Sequence, residues 1–196
     1  LGKTITAGAV IKHYAHEKQK RRIYVIAPAS LTQQWRDELA TVYGLLPSDF
    51  EILSMQDTNS IQRARELDRY AEVDMFVIDE AHNLRNDASK RHQELLEWFS
   101  DNPESKVLLL TATPINNSLT DFVNQIQLAA KGSLESFPVV YTNKKKNEVI
   151  DFFEAVKRLS SEMAKAENKG EKPDFNKVNR IMRQGLRHFL VRTTRR

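Results

Sequence analysis

A chain of 196 residues with a formal charge of +4 and no cysteine has room for one large domain, or one domain and an insert, at about 150 residues per domain. About 70% of the unfolded surface can be buried at that length, so a core needs neither disulfide nor structural metal. The missing thiol excludes zinc–thiolate sites, iron–sulfur clusters and a cysteine nucleophile. No apolar run nears the roughly 20 residues of a membrane helix and no signal peptide opens the chain. An intracellular protein without membrane contact is expected, cytoplasmic in a bacterium or nuclear. The opening Leu1-Gly2-Lys3-Thr4, with no Met before it, suggests part of a longer polypeptide.

The charge is unevenly spread. Residues 1–130 hold 14 Lys and Arg against 18 Asp and Glu, whereas residues 131–196 hold 16 against 8. The change of sign suggests two parts, the second either beside something anionic or simply a solvated helical surface.

In chain order, the first 130 residues alternate short β-rich runs with amphipathic stretches, the pattern of parallel strands joined by crossover helices. Strands are predicted over 23–28 (IYVIAP), 51–55 (EILSM), 75–79 (MFVID) and 107–111 (VLLLT), each nearly all apolar, as strands covered on both faces are. Leu31, Trp35, Leu39 and Val42 recur at helical spacing between them, as do His92, Leu95, Leu96 and Phe99, then Leu119, Phe122, Val123 and Ile126. Ser30 with Gln33, and Ser118 with Asp121, read as helix caps just past a strand's carboxyl end, where open α/β sheets bind ligands. After residue 131 two polar helices are predicted, one carrying Val149, Phe153, Val156 and Met163, the other Phe175, Val178, Ile181 and Met182. Residues 168–173 (NKGEKP) turn between them. Phe189-Leu190-Val191 reads as a return to the sheet.

Three segments carry chemistry. Gly2-Lys3-Thr4 is the tail of GxxxxGK(S/T), in which backbone N–H groups and a helix N-terminus cradle phosphates, Lys reaches the β and γ oxygens and the hydroxyl binds Mg²⁺. Asp79-Glu80-Ala81-His82 ends a buried strand, where a nucleotide enzyme puts its metal carboxylate and a Glu that positions the attacking water. Thr111-Ala112-Thr113-Pro114 closes the next strand; its hydroxyls either bond across to His82 or serve only the turn. Trp35 sits on an apolar stripe and is read as core rather than as a base stacker. His13 and His16 lack a third metal ligand, and the basic runs at 18–22 and 144–146 read as solvated loops before phosphate contacts.

In order and spacing, LGKT, APASLTQQW, DEAH and TATPINNSL resemble motifs I, Ia, II and III of a superfamily 2 helicase motor. The longer strings DEAHNLRN, TATPINNSLTDF and HFLVRTTRR resemble the Swi/Snf-type branch rather than DEAH-box RNA helicases. The resemblance covers residues 1 to about 130 and a patch at 189–196. It implies a RecA-like ATP-binding lobe over 1–130, a mostly parallel sheet with helices on both faces. A helical protrusion would follow over 131–188, then a return strand and basic tail over 189–196.

The same resemblance implies that Gly2, Lys3 and Thr4 bind ATP and that Thr4 and Asp79 hold Mg²⁺. Glu80 is then the general base beside Lys3 and Asp79, while His82, Thr111 and Thr113 couple nucleotide state to DNA grip. Pro28, Ala29, Ser30 and Leu31 lie along the phosphate backbone of double-stranded DNA, Ser30 being suited to bind a phosphate. A second RecA-like lobe of the same polypeptide completes the site, and the fragment alone is expected to be inactive.

The chain also departs from the family pattern. The first glycine of the phosphate loop, the acidic residue usually just upstream of it and the strand feeding the loop are absent from this chain, and loss of that central strand predicts a gap in the sheet. Thr6 stands where Gln is usual, and the stretch of about 45 residues from Gln34 to Asp79 is short. A DEAH-box RNA helicase, a restriction-type translocase subunit and a degenerate lobe used for docking are the alternatives.

Overall fold

The computed structural model describes residues 2–17, 22–68, 72–111, 119–132, 137–143 and 146–187. Helix α1 (Lys3–Glu17) leads to strand β1 (Ile23–Ala27), then α2 (Thr32–Asp37), β2 (Phe50–Ser54), α3 (Thr58–Leu67), β3 (Met75–Ile78), α4 (Lys90–Asp101) and β4 (Lys106–Leu109). The strands form one parallel sheet in the order β2-β1-β3-β4. All four lie where apolar runs predicted them. Because successive side chains of a strand point to opposite faces, Tyr24, Ile26, Phe76 and Ile78 join a core under α3 and α4, with Leu95, Trp98 and Phe99. Ile23, Val25, Met75 and Val77 join another with Ala7, Ile11, Trp35 and Leu39 of the α1 and α2 side. Both faces are covered, as in a RecA-like lobe.

The four strands are contiguous, so the expected gap does not open; among the described residues β4, whose residues are only partly buried, is an edge. The helix at Thr32 differs from the expected pattern too. Ser30 does not cap it: residues Ala29–Leu31 form a 3₁₀ turn, and neither Pro28 nor Leu31 at the turn's boundaries offers a side-chain cap. Gln33 instead donates to Asp37. The helix then widens into a π turn over Glu38–Val42. A π turn has more residues per turn than an α-helix, so the apolar stripe slips and Val42 is 65% exposed while Trp35 and Leu39 stay buried.

Helix α5 (Leu119–Ala129) joins the sheet to the C-terminal unit. Leu128 packs into the α3 and α4 core, while Phe122, Val123 and Ile126 belong to a third cluster. That cluster is not built from helices alone. Strands β5 (Pro138–Asn143) and β6 (Lys146–Asp151) form an antiparallel ribbon before α6 (Phe152–Asn168) and α7 (Phe175–Leu186). Val149, expected on a helix, lies on the ribbon and is 70% exposed, opposite the exposed Val140. Phe175, expected on the buried stripe, begins α7 and is exposed. The two predicted helices do form, each capped by an aspartate: Asp151 accepts from the N–H groups of Phe153 and Glu154, and Asp174 from that of Lys177. The turn at Lys169–Gly170 closes with Gly170 at φ 69°, a left-handed conformation suited to glycine. The return strand expected at Phe189-Leu190-Val191, the Ser118 cap and Lys144–Lys145 lie outside the described residues, as does the side chain of His16.

Candidate functional site

Parallel strands finish their backbone pairing at their carboxyl ends, leaving the next side chains free to face a ligand. β3 runs one residue past its last ladder position before turning: Asp79 N donates to Ile26 O at 2.9 Å. Glu80 follows with φ 49° and ψ 49°, a left-handed conformation that costs a non-glycine residue about 1 kcal/mol or more. The reversal starts a 3₁₀ turn over Ala81–Leu84. It is pinned from both sides, with Ala81 N donating to Leu110 O at 2.8 Å and both Asn83 N and Asn83 Nδ2 donating to Glu80 O at 3.0 Å.

The turn carries two carboxylates into different surroundings. Asp79 is 4% exposed. Its Oδ1 accepts from Glu80 N and its Oδ2 from the indole Nε1 of Trp35, both at 2.9 Å. Glu80 is more open and faces two bases. Lys3 Nζ lies 2.8 Å from Glu80 Oε1, and His82 Nδ1 lies 3.2 Å from Glu80 Oε2. Lys3 is the first residue of α1, so its ammonium reaches the carboxylate from a helix N-terminus, across 77 residues of sequence. Thr6, in place of the usual Gln, folds its hydroxyl back onto Gly2 O at 2.9 Å and steadies that first turn.

The structure therefore brings Lys3, Asp79, Glu80 and His82 together, with the half-buried Thr4 next to Lys3 in sequence. Thr111 is half-buried two residues past the end of β4, next to the Leu110 carbonyl that holds the Asp79–Ala81 turn. Thr113 lies outside the described residues. Pro28, Ala29, Ser30 and Leu31 occupy the 3₁₀ turn at the end of β1. Ser30 is exposed, as phosphate contact requires, but the neighbouring Ala29 N–H already donates to Gln56 Oε1 at 2.9 Å, and Leu31 N donates to Pro28 O.

Two contributors escaped sequence reading. Trp35 fits its apolar stripe, and nothing local signals that its N–H reaches Asp79, 44 residues away. Gln56, just past β2, is a polar residue at a strand end like Asp79, and that position was the available signal.

A model of the SNF2-related domain matches residues 48–196. An uncharacterised ATP-dependent helicase of Bacillus subtilis, YqhH, is 33% identical over 147 residues, which cover 69% of this chain and 26% of that protein. The RNA polymerase-associated protein RapA of Vibrio atlanticus is 30% identical over 137 residues, covering 58% of this chain and 14% of that protein. The chain thus spans about a quarter or less of these relatives. Among solved structures, the Sulfolobus solfataricus SWI2/SNF2 ATPase core in complex with dsDNA matches with a TM-score of 0.61 and 21% identity, over 94% of this chain and 37% of that one. At that identity the likeness speaks for the fold.

Proposed function

The chain belongs to the SNF2-related domain family, and from that premise we propose that it is the ATP-binding lobe of a helicase-like motor that couples ATP hydrolysis to movement along double-stranded DNA. The Asp-Glu-Ala-His string is shared with DEAH-box helicases, but the family match assigns the chain to the SNF2-related branch instead. The observation that carries the proposal is the contact of Lys3 with Glu80 beside the buried Asp79. A lysine at a helix N-terminus opposite a paired carboxylate is the donor set that a magnesium triphosphate calls for.

The chemistry rests on those side chains. Lys3 and the first N–H groups of α1 bind the β and γ oxygens, so arriving nucleotide draws Lys3 away from Glu80. Asp79 and Thr4 would hold Mg²⁺, which when bound neutralises charge on the phosphate oxygens. Glu80, released from Lys3, orients the attacking water and accepts its proton. His82 keeps contact with Glu80 Oε2, and through the turn that Leu110 O holds it links the base to Thr111, just past β4. The loop of Pro28, Ala29, Ser30 and Leu31 tracks DNA phosphates, with Ser30 the exposed contact, in an intracellular setting. A second RecA-like lobe supplies the arginines that stabilise the transferring phosphate, worth about 10³- to 10⁵-fold in rate in other nucleotide hydrolases. Residues 1–196 alone are therefore expected to turn over ATP negligibly.

The test is Lys3→Ala in the full-length polypeptide. DNA-stimulated ATP turnover should fall by about 10²-fold or more. Turnover that survives the substitution would place the phosphate site elsewhere.

A further inference from the structure

Trp35 carries a feature that its place on an apolar stripe does not require. Its ring is buried in the core that includes Ala27, Leu39 and Val77, and a phenylalanine could occupy most of that volume. What tryptophan adds is an indole N–H, which can donate but never accept. That donor ends 2.9 Å from Asp79 Oδ2, while Glu80 N donates to Oδ1 at the same distance. The terminal torsion of an aspartate is broad when free. With a fixed donor on each oxygen, the Asp79 carboxylate cannot rotate without breaking one of the two bonds. Trp35 is 1% exposed and Asp79 4%, so water is poorly placed to replace a lost bond, and a bond in such surroundings is stronger than in water. Each carboxylate oxygen still keeps a lone pair for a further ligand.

We propose that Trp35 is a positioning residue of the ATP site: its indole N–H fixes the plane of the Asp79 carboxylate and so sets the magnesium concentration that the site needs. The proposal rests on the reading of Asp79 as the metal-facing carboxylate. Partners that orient a metal ligand typically change metal affinity by about 10- to 100-fold when removed, and Trp35 stands in that relation to Asp79. The packing role of the ring and the orienting role of the N–H are separable, because only the second depends on the nitrogen.

The experiment measures binding of a fluorescent ATP analogue to the full-length polypeptide as Mg²⁺ is titrated, and again in EDTA. Two variants remove the donor: Trp35→Phe, and replacement of Trp35 by β-(3-benzothienyl)alanine, whose sulfur takes the place of the N–H while the ring shape is kept. The isostere guards against a Phe variant that fails to fold, and thermal melting of the apo protein reports on folding in each case. Expected is a rise of about 10-fold in the Mg²⁺ concentration for half-maximal binding, with binding in EDTA unchanged and the isostere still melting cooperatively, at a somewhat lower temperature because Asp79 has lost a buried donor. An unchanged Mg²⁺ midpoint in a folded isostere overturns the proposal, as does an equal loss of binding with and without Mg²⁺. Asp79→Asn separates this failure from that of the parent reading. If it leaves the midpoint where it was, Asp79 does not face the metal and both fall; if its midpoint moves and the isostere's does not, Trp35 alone is misassigned.

Discussion

The parallel-sheet unit and the ribbon-and-helix unit of residues 137–187 obey the same packing rules but use their polar groups differently. In the first, strand ends deliver Asp79 and Glu80 to a rim where backbone and indole donors hold one carboxylate and Lys3 meets the other. In the second, polar groups satisfy one another across the surface of their own core. The Tyr141 hydroxyl donates to Glu162, Lys177 pairs with the same carboxylate while lying 4.1 Å from the centre of the Tyr141 ring, and Arg158 bridges Glu148 and Glu154. That cluster ties α6 and α7 to β5. The contrast teaches where a ligand can be held: groups left over when a sheet's ladder ends have valences to offer, whereas groups committed to joining elements have few.

The largest structural effect expected from this contrast concerns two glycines. A Cβ at Gly185 of α7 would lie 2.1 Å from the ring of Phe152, which is fully buried at the start of α6. A Cβ at Gly8 of α1 would lie equally near the ring of Tyr43, but Tyr43 is partly exposed. The first ring has nowhere to go, and the second can swing outward at the loss of its bond to Ile5 O. Gly185→Ala should cost about 1 to 3 kcal/mol through overpacking, more than the roughly 1 kcal/mol that alanine adds to helix propensity. Gly8→Ala should stay within about 1 kcal/mol of wild type, the two terms nearly offsetting. Urea midpoints of the two variants check this, and equal costs would break the distinction.

A smaller effect separates two acids of opposite shift. Asp68, at the end of α3, is pushed up chiefly by burial, against the pull of a hydrogen bond with Tyr24 and the charge of Arg22. Burial also opposes ionisation of Glu162, but hydrogen bonds from Lys177 and Tyr141 outweigh it and hold that carboxyl below the ordinary range. The signs come from linkage. A raised carboxyl contributes stability at low pH that is lost as pH rises through its folded pKa. A lowered one contributes stability above its unfolded pKa that is lost as pH falls through the folded value. In thermal melts from about pH 7 to about pH 3, Glu162→Gln should be less stable than wild type at neutral pH and converge with it in acid. Asp68→Asn should gain on wild type as pH rises. Parallel curves for both variants would remove the asymmetry between the two units.

Much of the sheet unit was legible because its strands are short apolar runs ending in unlike residues. The carboxylates at 79 and 80 stand out for that reason. The ribbon was not legible. Val139 and Tyr141 alternate inward with Val140 and Thr142 outward, a period of two only four residues long, while Val149, Phe153 and Val156 happen to fall at helical spacing although Val149 belongs to β6. The 3₁₀ turn at Ala29–Leu31 and the π turn at Glu38–Val42 defeat cap and stripe reasoning alike, since both assume 3.6 residues per turn. The partnership of Trp35 with Asp79 lies beyond any local pattern, because the parallel sheet alone makes them neighbours.

The most direct measurement of the central claim, that Lys3 exchanges Glu80 for phosphate, is nucleotide binding and DNA-stimulated hydrolysis by Glu80→Gln in the full-length polypeptide. Glutamine fills the same space but cannot hold Lys3 as an ion pair or take the proton of the attacking water. The variant should therefore bind ATP at least as tightly as wild type and hydrolyse it negligibly. Hydrolysis at the wild-type rate, or loss of ATP binding in a folded variant, would contradict the claim.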